Sequence, residues 1–106
     1  MGIEEFKQQL REFVIEREWG QFHTAENLAK SISIEAGELL ECYQWSPEGE
    51  LASVKNELAD VLTYAFLLAE KLNLDPIEIM ELKLEETRAK YPIAKSKGKS
   101  TKYDRL

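Results

Sequence analysis

Leu51-Ala52-Ser53-Val54-Lys55-Asn56-Glu57-Leu58-Ala59-Asp60-Val61-Leu62-Thr63-Tyr64-Ala65-Phe66-Leu67-Leu68-Ala69-Glu70-Lys71-Leu72 is the stretch that decides the fold. Leu51, Val54, Leu58, Val61, Leu62, Ala65, Leu68, Ala69 and Leu72 recur at helical spacing. The resulting apolar stripe is wider than one neighbouring helix needs. Ala59, Ala65 and Ala69 permit close approach. This helix is therefore expected to pack against its own subunit and against a second copy.

Three further helices are legible on either side. Phe6, Leu10, Phe13 and Val14 mark a first helix over about residues 3–18. The run Trp19-Gly20-Gln21-Phe22-His23 breaks that pattern and reads as a connection. Thr24 is a good N-cap for a second helix reaching about Gln44. Ser46-Pro47-Glu48 is expected to restart the chain as the third helix, with Ser46 as cap and Pro47 in the first turn. Asp75-Pro76-Ile77-Glu78 starts a fourth, which should end near Lys90 because Pro92 disfavours helix at Tyr91. No segment alternates like a strand, and the five glycines form no phosphate-binding loop. The expected architecture is all-α, a single domain over residues 1–106, with residues 93–106 an extended basic tail.

Two acidic pairs interrupt the apolar stripes. Glu35-Ala36-Gly37-Glu38 lies on the second helix and Glu57-Leu58-Ala59-Asp60 on the third. A spacing of three sets both acids of a pair on nearly one face. Leu28, Ile32, Glu35 and Leu39 share one stripe, and Glu57, Val61, Tyr64 and Leu68 another. Acids in such positions are costly unless paired or bound to a cation. Clustered carboxylates also repel, so one or more would stay protonated at neutral pH without compensation. A divalent cation removes the conflict, and ligands that are all oxygen favour Mg²⁺, with Mn²⁺ second, over zinc. Glu41 continues the first series but is assigned to the surface or to support behind the ligands. A di-iron carboxylate bundle needs Glu-x-x-His on two helices, and the only histidine, His23, lies outside the helices.

The aromatic residues supply the other half of a site. Trp19 and His23 precede the second helix, Trp45 follows it, and Tyr64 lies one turn after Asp60. Brought near the acids, these four would stack on a base. A nucleotide fits that combination, with its base in an aromatic slot and its phosphates on the cation.

Bulk properties narrow the partners. At 106 residues and 43% hydrophobic content the chain supports one small domain, which an oligomer would help to stabilise. Residues 1–82 hold 6 basic and 17 acidic side chains, whereas residues 83–106 hold 8 basic and 3 acidic. The acidic body argues against nucleic-acid binding, while the basic end suits a small anion such as a phosphate. The longest apolar run, Val61 to Ala69, is too short to span a bilayer. Cys42, the single cysteine, and a polar N-terminus without a signal peptide lead to the expectation of a cytoplasmic protein.

Taken in order, Trp19-Gly-Gln-Phe-His23, Asn27-Leu28, Glu35-Ala-Gly-Glu38, Gln44-Trp45, Glu57-Leu-Ala-Asp60, Tyr64 and Lys90-Tyr91-Pro92 closely resemble the MazG-like all-α nucleoside triphosphate pyrophosphohydrolases. The likeness spans about residues 4–106 and is nearest to the dCTP pyrophosphatase branch. It implies a four-helix fold forming an intersubunit bundle, as a homodimer or a dimer of dimers. It implies Mg²⁺-dependent hydrolysis of a nucleoside triphosphate to the monophosphate and pyrophosphate, with dCTP or a modified cytosine nucleotide preferred. By the same likeness Glu35, Glu38, Glu57 and Asp60 bind the metal. Trp19, His23, Asn27, Trp45 and Tyr64 contact the base and sugar, and Lys83 and Tyr91 lie near the phosphates. Glu38 is assigned to activate water. Lys83, with Arg88 or Lys90, is assigned to the charge on the leaving pyrophosphate. Thr87 departs from the pattern, because relatives often carry Asn at that position. Two alternatives stay open. One is a non-catalytic helical oligomerisation or binding module. The other is the same enzyme class acting on another nucleotide such as dUTP.

Overall fold

The computed structural model describes residues 1–106. It is entirely helical, with α1 at Ile3–Glu16, α2 at Ala25–Glu41, α3 at Leu51–Lys71, α4 at Pro76–Lys90 and a short α5 at Ile93–Ser96. Single 3₁₀ turns lie at Trp19–Gln21 and Tyr103–Arg105. The chain divides into two compact units, Met1–Asn73 and Leu74–Leu106. No helix is long and apolar enough to cross a membrane.

In the first unit α2 and α3 pack along each other. The Arg11 guanidinium ties α1 to α3 through both carboxylate oxygens of Glu70, at 2.5 and 3.4 Å. α1 ends where Glu18 turns into the left-handed region, with φ of 54°. Gln21 Nε2 holds that turn by donating to the Glu18 carbonyl at 3.0 Å. Thr24 caps α2 as expected, its Oγ1 accepting from the Asn27 N–H at 3.1 Å.

The ends of α2 and α3 differ from the sequence reading. α2 closes at Glu41, not Gln44, because Cys42, Tyr43 and Gln44 donate three residues back, to Leu39, Leu40 and Glu41. α3 begins at Leu51 and not at Pro47. Ser46 Oγ accepts from the Glu48 N–H at 3.4 Å, which makes a local turn and not a cap. Gly49 then takes φ of +64°, and a Cβ there would meet the Tyr43 ring at 3.1 Å and Val54 at 3.2 Å. A helix cannot run through that residue. Asn73, at φ of 57°, closes α3 in the left-handed conformation that asparagine tolerates.

The core of this unit is thin. Leu28 is 2% exposed and Ala69 6%, while Ile34, Leu40, Leu51 and Leu62 on α2 and α3 are exposed. The broad stripe read from α3 is thus covered on one side only. Leu28→Ala is expected to lower stability by about 2–5 kcal/mol, as for other fully buried leucines. A thermal melt compared with that of an exposed control, Ile15→Ala, checks this.

In the second unit Asp75 caps α4, its Oδ1 accepting from Ile77 N–H at 2.9 Å and Glu78 N–H at 3.3 Å. α4 ends at Lys90, as Pro92 dictates. Residues 93–106 are not simply extended. Pro92 sits in the extended conformation of an N-cap and starts α5. Gly98, at φ of +75°, turns the chain. The Tyr103 N–H then donates to the Tyr91 hydroxyl at 3.2 Å. The two tyrosine rings meet edge to face at 6.0 Å, and Lys90 Nζ lies 4.7 Å from the Tyr103 ring. These contacts fold the basic tail back onto the end of α4.

Candidate active site

The packing of α2 on α3 brings the two acidic pairs together. Glu35, Glu57 and Asp60 each offer a carboxylate oxygen, and these oxygens lie within 4.8 Å of one another. Glu38, more exposed than the other three, stands within hydrogen-bonding reach of both Glu35 and Glu57. Glu41 is exposed and lies outside the group.

The electrostatics of this cluster are unfavourable as they stand. None of the seven ion pairs in the molecule involves these acids. Glu35 Oε2 and Glu57 Oε2 are shielded from solvent and have no hydrogen-bond partner. The Glu35 carboxyl is pushed up to about 7, first by its hydrogen bond with Glu38, then by desolvation and by the charges of Glu38, Asp60 and Glu57. Desolvation, followed by Glu38, raises Glu57 as well. Two orphaned carboxylate oxygens in an all-oxygen donor set fit a hard divalent cation, which would satisfy both and offset the repulsion.

Beside the cluster lies a cavity of about 120 Å³. Phe13 from α1, Trp19 and His23 from the connection, and Asp60, Thr63 and Tyr64 from α3 all line it. Asp60 therefore belongs both to the cavity wall and to the acidic cluster. The rings interlock edge to face. Phe13 and Trp19 are 5.4 Å apart at 80°, and Trp19 and His23 are 6.5 Å apart at 63°. The Arg17 guanidinium lies over the Phe13 ring at 3.8 Å and donates to the Phe13 carbonyl at 3.1 Å. Neither Phe13, read only as part of the first helix's apolar stripe, nor Thr63 was expected in the site from sequence. Their helical spacing marks them as facing a neighbour, but not which neighbour.

The other expected contacts fall elsewhere. Trp45 does not line the cavity; it is 89% exposed in the loop after α2. Asn27 does not line it either, and its side-chain amide donates to the Phe22 carbonyl at 3.0 Å. Lys83, Thr87 and Tyr91 belong to the second unit. There Lys83 Nζ pairs with Glu86 at 3.4 Å, and the Thr87 hydroxyl donates back to the Lys83 carbonyl at 2.9 Å. The Tyr91 hydroxyl is engaged with the tail, as described above.

The chain is 33% identical to dCTP pyrophosphatase 1 of Bos taurus, over 98% of its own length and 68% of that protein. It is 34% identical to dCTP pyrophosphatase 1 of Homo sapiens, over 98% of its length and 67% of that protein. A crystal structure of a pyrophosphatase from Archaeoglobus fulgidus superposes with a TM-score of 0.81 at 41% identity, covering 85% of this chain and 92% of that one. Residues 30–106, which include all four acids, match the model of the MazG-like family. On that match, and on relatives aligned along nearly its whole length, the chain belongs to the MazG-like family.

Proposed function

We propose that this nucleoside triphosphate pyrophosphohydrolase acts on dCTP or a modified cytosine nucleotide, yielding the monophosphate and pyrophosphate in a Mg²⁺-dependent reaction. Mn²⁺ is the second candidate cation. The observation that carries the reading is Asp60, a residue common to the acidic cluster and the aromatic cavity. A ligand with an apolar, stackable end and a polyanionic end is what such a junction suits. The preference for cytosine rests on the named activity of the relatives in cattle and human.

In this reading Glu35, Glu57 and Asp60 hold the cation, and Glu38 completes the set. A cation held there would supply charge neutralisation of the phosphate oxygens. Glu38, the most accessible of the four, orients or deprotonates the attacking water. Trp19, His23 and Tyr64 hold the base and sugar by stacking, and Trp45 is the further candidate for that face. Lys83, with Arg88 or Lys90, carries the developing negative charge on pyrophosphate, and Tyr91 supports the same end. The role would be clearance of unwanted nucleotides from a cytoplasmic pool, within one domain spanning residues 1–106. The uncovered leucines and Ile34 of α2 and α3 support a homodimer or a dimer of dimers.

Pyrophosphate release from dCTP, 5-methyl-dCTP, dUTP, dTTP, dATP, dGTP and CTP, with Mg²⁺ and with EDTA, tests the proposal. Cytosine deoxynucleotides are expected to give the highest kcat/KM, with no turnover in EDTA. A preference for dUTP would keep the chemistry and replace the substrate. Turnover that survives EDTA would remove the acids from their assigned role.

A further inference from the structure

The link from α1 to α2 carries two rings of the cavity wall, Trp19 and His23, yet it is short, largely exposed and built on a single 3₁₀ turn. Its backbone is tied internally by Phe22 N–H to the Trp19 carbonyl at 2.9 Å and His23 N–H to the Gly20 carbonyl at 3.2 Å. No backbone N–H reaches the Phe22 carbonyl. Asn27 Nδ2 supplies the missing donor at 3.0 Å. At the other end of the link, Gln21 Nε2 supplies a donor to the left-handed Glu18. An amide side chain thus clasps the link at each end.

The chemistry of position 27 is unusual for its place. It is the third residue of α2, where Glu, Gln or Asp is the ordinary choice because a carboxylate complements the helix N-terminus. A carboxylate there could only accept, and would face the Phe22 carbonyl with like partial charge. We propose that Asn27 is a positioning residue: through the Phe22 carbonyl it fixes the Trp19–His23 ring pair that walls the cavity, and it does not itself touch the nucleotide. Its kinetic consequence rests on the cavity being the base slot of the proposed function. Its structural consequence does not.

Asn27→Asp is the discriminating variant, because it keeps the size of the side chain and favours the helix start while removing the donor. Asn27→Ala is the companion should the acid disturb folding. In both, KM for dCTP is expected to rise about fivefold, the scale of one lost hydrogen bond, with kcat within about twofold of the parent. In a Trp45→Phe background, where Trp19 is the only tryptophan, acrylamide quenching of the apo protein is expected to increase in both variants. A raised KM with unchanged quenching would mean direct substrate contact and overturn the proposal. Unchanged KM and quenching, or a fall in kcat alone, would overturn it as well. If the parent hydrolysed no nucleotide, the proposed function would fall and the quenching result alone would decide the role of Asn27.

Discussion

Asp60→Asn is expected to lower kcat/KM for the nucleotide by about 100-fold or more, the scale seen when the support of a metal site is removed. The same change is expected to raise the melting temperature of the metal-free protein. Both effects follow from one fact: the cluster is anionic, partly desolvated and without a basic partner. Removing one charge relieves repulsion among the remaining acids, and also removes a ligand and a piece of the cavity wall. A structural acid on the surface would show neither effect. Loss of activity accompanied by loss of stability would point to simple unfolding.

The pH dependence of that stability has a definite sign. The Glu35 carboxyl lies at about 7 in the folded chain against an ordinary value of 4.5. For a raised folded value, the stabilising contribution is full below the ordinary value and is lost as pH climbs through the raised one. The metal-free protein should therefore melt progressively lower between about pH 5 and pH 8. Glu35→Gln should flatten that slope, and millimolar Mg²⁺ should restore the parent at pH 8, since a ligand bound only by the folded state stabilises it. Melts in EDTA and in Mg²⁺ across this range test the point; parallel curves for parent and variant would refute it.

The second large effect is expected at Trp19. Trp19→Ala should raise KM for dCTP by about 10- to 100-fold, because base stacking on an aromatic ring contributes about 1–3 kcal/mol. The chemical step should change much less, since Trp19 is not among the acids. Trp19→Phe should recover most of the affinity by keeping a ring between Phe13 and His23. Steady-state kinetics on the three proteins decide it. An equal loss of kcat and gain in KM for the alanine variant would mean that the ring also orders the acidic cluster.

Much of this molecule was legible in its sequence because the signals were local. Thr24 and Asp75 cap the helices that their side chains announce, and Pro92 stops α4 where expected. Glu35 and Glu57 were conspicuous because each broke an apolar stripe, and the fold brings them together. The misread features depended on backbone geometry or on distant neighbours. Pro47 looked like a helix start, but the left-handed Gly49 two residues later moves the start to Leu51. The lysines of the tail suggested an extended strand of charge, whereas Pro92, Gly98 and Tyr103 fold it back. The bond from Asn27 to the Phe22 carbonyl was not legible either, because it depends on which carbonyl in the preceding link lacks a donor, a tertiary fact.

The double membership of Asp60 separates what this scaffold can vary from what it must keep. α3 supplies Asp60, Thr63 and Tyr64 to the cavity while also holding Glu57 against α2, so under the proposed function changes at these positions are expected to disturb phosphate chemistry and base selection at once. Leu10, Phe13, Val14 and the link bearing Trp19 form the opposite wall and take no part in the acidic cluster. If the cavity is the base slot of the proposed function, drift in nucleotide preference is expected on the α1 side, and an engineer seeking a new substrate should mutate that wall and leave α3 as the fixed chassis.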